Sequence, residues 1–371
     1  MEIHGQGQGS RAGPSTWVFV SSLLLDCMEQ LASGVHFTCP RRQLHHHRHN
    51  DAFVDDVTGY TNLFVAELKG CSQTNEVLAL MQRDASIWNE LLHISGGKLA
   101  LHKCLYYIIS WQWSNGFATP QPATQIHPKI KLRDGISQQP INHFECNRAH
   151  RTLGQMKSPD GSQDAQLQLI TNKSNKWFEA IKAANLSRAE AKGAYESIWF
   201  PSIAYGLGTS NLSKTDLDTL QKPIINYILP TLGYNRHFPR IAVFGSRNYG
   251  GLQLKHLHTE QGIAHVMQFI KYYRCDNSIG DLMHISLRWL RLTAGTQQCP
   301  LKNPQTNFHH IHDRWFNTLI HFLYQCNASI ETNDYQPILS RTDDSCLVDD
   351  ILLLDPNKLS LVLFNQCRIF L

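Results

Sequence analysis

The stretch "AFVDDV" at residues 52–57 places two adjacent carboxylates, Asp55 and Asp56, inside an apolar run with high β propensity. A second pair, Asp349 and Asp350, occurs in nearly the same frame, "LVDDIL", at 347–352. Adjacent aspartates are good turn residues. They are also suitable ligands for a divalent cation, because hard ions such as Mg²⁺ prefer carboxylate oxygens. The residues around each pair decide between these two interpretations.

The flanks of the first pair predict a β-hairpin. Two β-like runs, Ala52–Val54 and Val57–Tyr60, enclose the aspartates and place them at an exposed tip. Residues 73–95 have apolar positions at helical spacing, and "SGG" at 95–97 predicts the end of that helix. The following "KLALHKCLYYIISWQW", residues 98–113, predicts a pair of strands. The pair Asp349–Asp350 lies instead in a helix-like run and is interpreted as a solvated helix edge.

A helix is also predicted before the hairpin. Ser15 is a candidate cap for the run "STWVFVSSLLLDCMEQLAS", and Gly34 is a candidate terminator. The apolar part, Trp17–Leu25, is shorter than the roughly 20 residues that cross a bilayer. It therefore predicts a buried core helix, and no membrane is expected as a partner.

Helices dominate the sequence beyond residue 163. "SRAE" at 187–190 is a capping box, and Ser213 opens another helix that Pro223 is expected to interrupt. The predicted fold class is α+β: a small antiparallel sheet with helices, then a mainly helical region and a helical tail. The expected regions are 1–163, 164–275 and 276–371.

Composition limits the partners and the compartment. The 371 residues carry a net charge of +4, which permits a polyanionic partner without requiring one. The ten cysteines include no CxxC pair, and no signal peptide precedes them, so an intracellular protein is expected. Side chains of the histidine run 45–49 should alternate between strand faces, which favours a polar, partly cationic link over a structural zinc site.

Four short motifs occur in a recognisable order. A QG segment opens a helix that contains Pro14; F-x-D-D follows; then comes a segment with Gly96 and Lys103; and "RTLG" ends the series at 151–154. This order resembles the palm of reverse transcriptases encoded by non-LTR retrotransposons. The resemblance covers roughly residues 5–270 and rests on order and spacing, since no single motif is specific. A different interpretation is a helical interaction protein of unrelated origin. It would require the order of the four motifs to be a coincidence.

The resemblance implies a metal site at the hairpin. Asp55 would bind Mg²⁺, or Mn²⁺, directly, and Asp56 would be the supporting carboxylate. Phe53 would pack beneath the hairpin near the primer end. Two such ions activate a 3′-hydroxyl and stabilise leaving pyrophosphate in template-directed polymerases.

The other motifs acquire roles in the same way. Gln8 and Gly9 would line the incoming nucleotide and template, with the glycine allowing a close backbone approach. Lys103 would neutralise departing pyrophosphate, although an ordinary exposed lysine explains it equally well. Leu153 and Gly154 would form the primer-grip turn.

The implied function is RNA-templated DNA synthesis by nucleotidyl transfer. The implied partners are an RNA template, a DNA primer and deoxynucleoside triphosphates; nothing points to a specific protein partner. The sequence departs from the family pattern at Gly13 and Ala100, where Ser and Asn are usual. Because Met1 lies only seven residues before Gln8, the fingers and the first aspartate-bearing strand are expected to be missing. The sequence therefore predicts an enzyme fragment that is inactive alone, or alternatively a non-catalytic nucleic-acid-binding remnant.

Overall fold

The structure, a computed structural model, describes residues 13–40, 43–53, 56–62, 73–114, 117–295, 299–304, 308, 311 and 314–332. The chain divides into two compact units, 1–148 and 149–371. It combines α-helices with small, mostly antiparallel sheets, so the α+β class predicted from the sequence is confirmed. The three regions expected from the sequence remain a prediction.

The described residues form ten α-helices and twelve strands. The helices are α1 Gly13–Leu31, α2 Gln73–Ile94, α3 Asp164–Ala183, α4 Arg188–Gly193, α5 Phe200–Ala204, α6 Lys214–Thr231, α7 Arg240–Phe244, α8 Leu257–Tyr273, α9 Ser278–Ala294 and α10 Arg314–Gln325. The strands are β1 Val35–Thr38, β2 His45–Arg48, β3 Asn50–Phe53, β4 Asp56–Gly59, β5 Leu105–Tyr106, β6 Trp111–Ser114, β7 Phe117–Pro120, β8 Lys131–Asp134, β9 Ser137–Pro140, β10 Asn142–His143, β11 His150–Thr152 and β12 Gln155–Lys157.

Each strand pairs with one other strand. Five pairs are antiparallel: β1–β2, β3–β4, β6–β7, β8–β9 and β11–β12. The pair β5–β10 is parallel. Residues 98–113 therefore contain two strands, as predicted, but β5 and β6 pair with β10 and β7 rather than with each other.

A buried carboxylate holds the first four strands to α2. Asp84 on α2 accepts hydrogen bonds from the Ser33 backbone N–H, with both oxygens at 3.1 Å, and from the Thr61 hydroxyl at 3.0 Å. Ser33 precedes β1 and Thr61 follows β4, so one side chain anchors both ends of the β1–β4 segment. The apolar core of the first unit lies elsewhere, around Leu78, Tyr106, Ile108, Ile126, Ile130, Leu132 and Ile141.

Helix α1 differs from its prediction in two respects. It begins at Gly13, so Ser15 lies within its first turn and does not cap it. Leu24 and Met28 are buried, but Phe19 is 66% exposed, and Val18 and Leu23 are also exposed. The expectation of a buried core helix is therefore wrong for one face, because the described part of the chain covers only the opposite side.

The second unit contains two apolar cores. One is formed by residues between Ile170 and Leu257, and the other by residues between Phe269 and Leu323. Both predicted caps are present: Ser187 and Glu190 form the capping box of α4, and Ser213 accepts from the Asp216 N–H at α6.

Pro223 does not interrupt α6, contrary to the prediction. A proline inside a helix removes one backbone hydrogen bond. The neighbouring Ile224, Ile225 and Ile228 are almost fully buried, and burial of such side chains contributes about 1.5–3 kcal/mol each. This packing outweighs the lost bond and keeps the helix continuous.

Candidate functional site

The hairpin β3–β4 presents an aromatic ring and a carboxylate side by side. Its strands pair in the register Phe53 with Asp56 and Ala52 with Val57, which leaves residues 54 and 55 as the connecting pair. Directly opposed residues point to the same face of a sheet. Phe53 is 59% exposed and Asp56 is also exposed. The predicted hairpin is confirmed, with Asp56 as the first residue of the returning strand.

The base of the hairpin is fixed by a polar cluster on the same face. Asp51 is ion-paired with Arg48 and accepts a hydrogen bond from the Tyr60 hydroxyl at 2.7 Å. Burial, followed by this hydrogen bond, raises the pKa of Tyr60 to about 12. The Asp51 carboxylate is therefore already bound by Arg48 and Tyr60, whereas the Asp56 side chain on the same face is exposed to solvent.

Several residues assigned from the sequence lie outside the described residues. These are Gln8, Gly9, Asp55, Asp349 and Asp350. Their proposed roles at the nucleotide site, the metal and the C-terminal helix stay predictions.

The described part of the chain offers only part of a magnesium site. It contains no group of three or more His, Cys, Asp or Glu side chains arranged to hold a metal ion. At the hairpin it supplies one open carboxylate, Asp56. Mg²⁺ requires near-octahedral oxygen coordination, which one carboxylate does not provide. Asp55, water, a nucleotide phosphate and a further carboxylate would have to complete it.

Lys103 lies in an exposed turn, Leu101–Lys103, and not on a strand. Its backbone N–H donates to the Ala100 carbonyl at 2.8 Å. The preceding segment, residues 98–102, lines a cavity of about 610 Å³ together with Asp134, Gln139, Pro140 and Asn142. Lys98, at the start of that segment, is paired with Asp134 at 2.8 Å. Lys103 itself does not line this cavity.

Leu153 and Gly154 form the tip of the hairpin β11–β12 in the second unit. Their φ angles are +50° and +80°, and Thr152 is paired with Gln155. Two positive φ angles are typical of a type I′ turn, in which Asn-Gly and Asp-Gly are preferred. Leucine at the first position is strained, because a left-handed conformation costs an L-residue about 1–2 kcal/mol. The strained leucine is also exposed.

The histidine run forms strand β2, and its side chains alternate between exposed and half-buried positions, as predicted. The His47 ring stacks on His36 with centroids 3.9 Å apart and contacts His49 at 4.1 Å. The His47 Nε2–H donates to the Ser33 carbonyl at 2.9 Å. Burial, followed by the nearby His47, lowers the pKa of His49. The cluster therefore packs the edge of the β1–β4 segment.

The sequence analysis did not name the residues of an exposed basic surface in the second unit. Arg236, Arg240, Arg247 and Tyr249 are all exposed, and the Tyr249 side chain is 93% exposed. The signal was present in the sequence: residues 219–259 include no Asp or Glu but five Lys or Arg. A local charge of +5 exceeds the net charge of the whole chain.

Comparisons with protein-family models, with curated proteins and with solved structures found no match. Among the helices that the structure describes, none combines the length and the apolarity required to span a bilayer.

Proposed function

We propose that the chain contributes part of the palm of a retroelement reverse transcriptase, followed by a thumb-like helical region. The observation that carries the proposal is the hairpin of β3 and β4, which presents the exposed Phe53 and Asp56 on one face. The substrates would be an RNA template, a DNA primer and deoxynucleoside triphosphates.

Two further observations, one in each unit, support this proposal. Helix α1 contacts both β3 and α2, so the hairpin packs against a long helix that is itself packed on α2. Leu153 is held in a strained, exposed turn, and strain of this kind is often found at functional sites. A primer-grip role would explain why leucine occupies a position that favours Asn or Gly.

Each hairpin residue has a distinct proposed role. Asp55 and Asp56 hold the divalent ion, Phe53 packs against the primer end, and Asp51 fixes the base of the hairpin through Arg48. When bound, Mg²⁺ would stabilise charge on the reacting phosphoryl group. Because Lys103 is exposed and close in sequence to the cavity segment, it is available to a phosphate.

Iron-directed cleavage tests the metal assignment independently of polymerase activity. Fe²⁺ would replace Mg²⁺, and the hydroxyl radicals that it generates from added hydrogen peroxide would cut the backbone next to the site. We expect cleavage around residues 53–57, and its loss in the double variant Asp55→Asn, Asp56→Asn. The matched control is Asp349→Asn, Asp350→Asn, which should cleave like the unaltered chain. Cleavage that persists in the first variant would refute the assignment.

Primer extension tests the reaction itself. We expect at most trace extension of oligo(dT) on poly(rA) in Mg²⁺, and none in Asp55→Asn, because the proposed metal site requires the Asp55 carboxylate. Strong extension that survives Asp55→Asn would place the active site elsewhere.

A non-catalytic nucleic-acid-binding role is the second candidate. The exposed arginines of the second unit favour it, because guanidinium groups open to solvent can bind phosphates. Binding of primer–template without Mg²⁺-dependent extension under any condition would favour this role over the polymerase.

A further inference from the structure

We propose that the second unit binds single-stranded nucleic acid on the surface formed by Arg236, Arg240, Arg247 and Tyr249, which we call the arginine–tyrosine surface. This proposal deepens the second candidate function, whose exposed arginines it uses, and does not depend on the hairpin β3–β4 or on polymerase chemistry. The surface lies within residues 149–371, and the hairpin lies in the other unit.

The charge of this surface is not neutralised locally. Within the described part of the chain, none of its three arginines forms an ion pair with a carboxylate. The acidic residues that flank the segment in sequence are Asp218 and Glu260. Asp218 is occupied by His256 at 2.9 Å. Phosphates are therefore suitable counter-charges for the exposed guanidinium groups.

The arginines are positioned by the backbone around α7. The Arg240 side chain donates to Asn226 Oδ1 at 2.6 Å and to the Arg236 carbonyl at 3.3 Å. Arg240 opens α7 and Arg247 follows it. Since α7 has five residues, its rise is about 7.5 Å. A short stretch of single strand can therefore reach both ends of the surface.

Tyr249 is presented by a rigid loop. The loop is closed by hydrogen bonds from the Gly251 N–H to the Ser246 carbonyl at 3.0 Å and from the Gln253 N–H to the Gly245 carbonyl at 2.9 Å. A Cβ on Gly251 would lie 2.1 Å from the Gly245 oxygen, so only glycine fits there. The tyrosine ring is thus held in solvent on a fixed backbone, which suits stacking on an unpaired base.

Buried polar groups fix the chain segment that follows Tyr249. Gln221 is 2% exposed; its Nε2 donates to the Lys255 carbonyl at 2.7 Å, and its Oε1 accepts from the Leu257 N–H at 3.0 Å. The Tyr195 hydroxyl donates to the same Lys255 carbonyl at 2.6 Å. These bonds fix the segment 252–256, to which the backbone of α7 is joined by a hydrogen bond from the Leu254 N–H to the Val243 carbonyl at 3.0 Å.

Single strands are favoured over duplex because Tyr249 can stack only on a base whose face is free. Arginine contacts to phosphate carry no sequence information. We therefore expect binding that tolerates any sequence, weakens as salt rises, and is stronger for single-stranded than for double-stranded DNA or RNA.

Fluorescence anisotropy with a labelled oligo(dT) 20-mer over a NaCl series tests the surface. Each phosphate contact on a single strand changes the slope of log K against log salt by about 0.7. The triple variant Arg236→Gln, Arg240→Gln, Arg247→Gln should therefore lose about 2 from that slope. The matched control removes three exposed cations elsewhere in the same unit: Lys176→Gln, Lys271→Gln and Arg274→Gln. Equal losses in the two variants would overturn the proposal.

Tyr249 is tested separately. Tyr249→Leu keeps an apolar side chain without a stacking ring and should weaken binding about tenfold, whereas Tyr249→Phe should bind like the unaltered chain. Equal binding by the leucine and phenylalanine variants would overturn the stacking role.

Cross-linking of the unaltered chain avoids any effect of substitution on folding. A single strand containing 4-thiouridine should cross-link to a peptide that includes Tyr249. Cross-links confined to other peptides would overturn the proposal. So would tighter binding to phosphatidylserine vesicles than to oligo(dT), because an anionic membrane would then be the partner. Retained oligo(dT) binding by Asp55→Asn, Asp56→Asn would separate this surface from the proposed metal hairpin.

Discussion

The two units of the chain are stabilised in different ways. In the first unit, polar anchors hold the candidate hairpin: Asp84 fixes the two ends of the β1–β4 segment that contains it, and Asp51 fixes its base. Phe53 remains exposed. In the second unit, fully buried side chains such as Trp199 and Ile228 form the core around which the helices pack. The comparison shows that a sequence motif for chemistry, here F-x-D-D, can lie on an element that is held mainly by polar contacts and packs little apolar surface.

The largest expected effect is the loss of a buried ring in the second unit. Trp199 is fully buried, stacks with Tyr195 at 5.3 Å and donates from Nε1 to Ser174 Oγ at 3.0 Å. Trp199→Ala should lower the free energy of unfolding by about 3–5 kcal/mol. Urea unfolding followed by far-UV circular dichroism measures this.

The exposed Phe53 supplies the contrasting variant. Phe53→Ala should change stability by less than about 0.5 kcal/mol, because a surface side chain makes few contacts to lose. Similar losses for Phe53→Ala and Trp199→Ala would show that the hairpin is packed as firmly as the core, and the comparison would fail.

The second-largest expected effect is a loss of stability at low pH that is caused by His265. His265 is fully buried, its Nε2–H donates to the Ser210 carbonyl at 3.0 Å, and burial lowers its pKa to about 4. The unfolded value is about 6.5, so the unfolded chain binds more protons between these limits. Stability should therefore be unaffected by this group above pH 6.5 and should fall by up to about 3 kcal/mol as the pH drops to 4.

The variant His265→Met isolates this contribution. Loss of the hydrogen bond to Ser210 changes the free energy of unfolding by an amount that does not vary with pH. The informative quantity is therefore the slope of the free energy of unfolding against pH between 6.5 and 4, which should be shallower in the variant. Parallel profiles for the two chains would contradict the assignment. In the unaltered chain, the NMR resonances of the His265 ring should not titrate above about pH 5.

The third effect tests the polar anchor of the first unit. Asp84→Ala removes the acceptor for Ser33 and Thr61 and leaves a part-buried N–H unpaired, which costs about 2–3 kcal/mol. Hydrogen exchange measured by mass spectrometry should show faster exchange in peptides covering residues 35–59 and unchanged exchange in residues 214–231.

Asp134→Ala is the matched control for that anchor. Asp134 forms only an exposed ion pair with Lys98, and such pairs contribute at most about 1 kcal/mol. Exchange in residues 35–59 that is unaffected by Asp84→Ala would show that other contacts hold the segment.

Local signals predicted much of the fold and part of the candidate site. Alternating apolar residues and adjacent aspartates located the hairpin, and Ser187 and Ser213 were recognised as caps because capping partners lie three residues away. These patterns are complete within a short window of sequence, so the chain alone determines them.

The features that the sequence analysis did not predict depend on contacts between residues that are far apart in the chain. Asp84 follows Arg83 in a helix and looks like an ordinary solvated residue, yet its partner Ser33 is 51 residues away. Pro223 was expected to break α6, but buried isoleucines around it keep the helix intact. The exposed face of α1 was also missed, because its apolar residues do not show which side the rest of the chain covers.

The smallest effect concerns the strained hairpin inside the well-packed second unit. Leu153 has a φ of +50° at the first position of the β11–β12 turn, where asparagine is preferred. Leu153→Asn should therefore raise the free energy of unfolding by about 1 kcal/mol, and Leu153→Val, which adds β-branching at the same angle, should lower it. If the leucine serves the proposed primer grip, the more stable Leu153→Asn chain should also bind primer–template less tightly, as measured by anisotropy in Mg²⁺. Stabilisation with undiminished binding would leave the strain without a function. A loss of stability would show that the exposed leucine makes contacts that outweigh the cost of its backbone conformation.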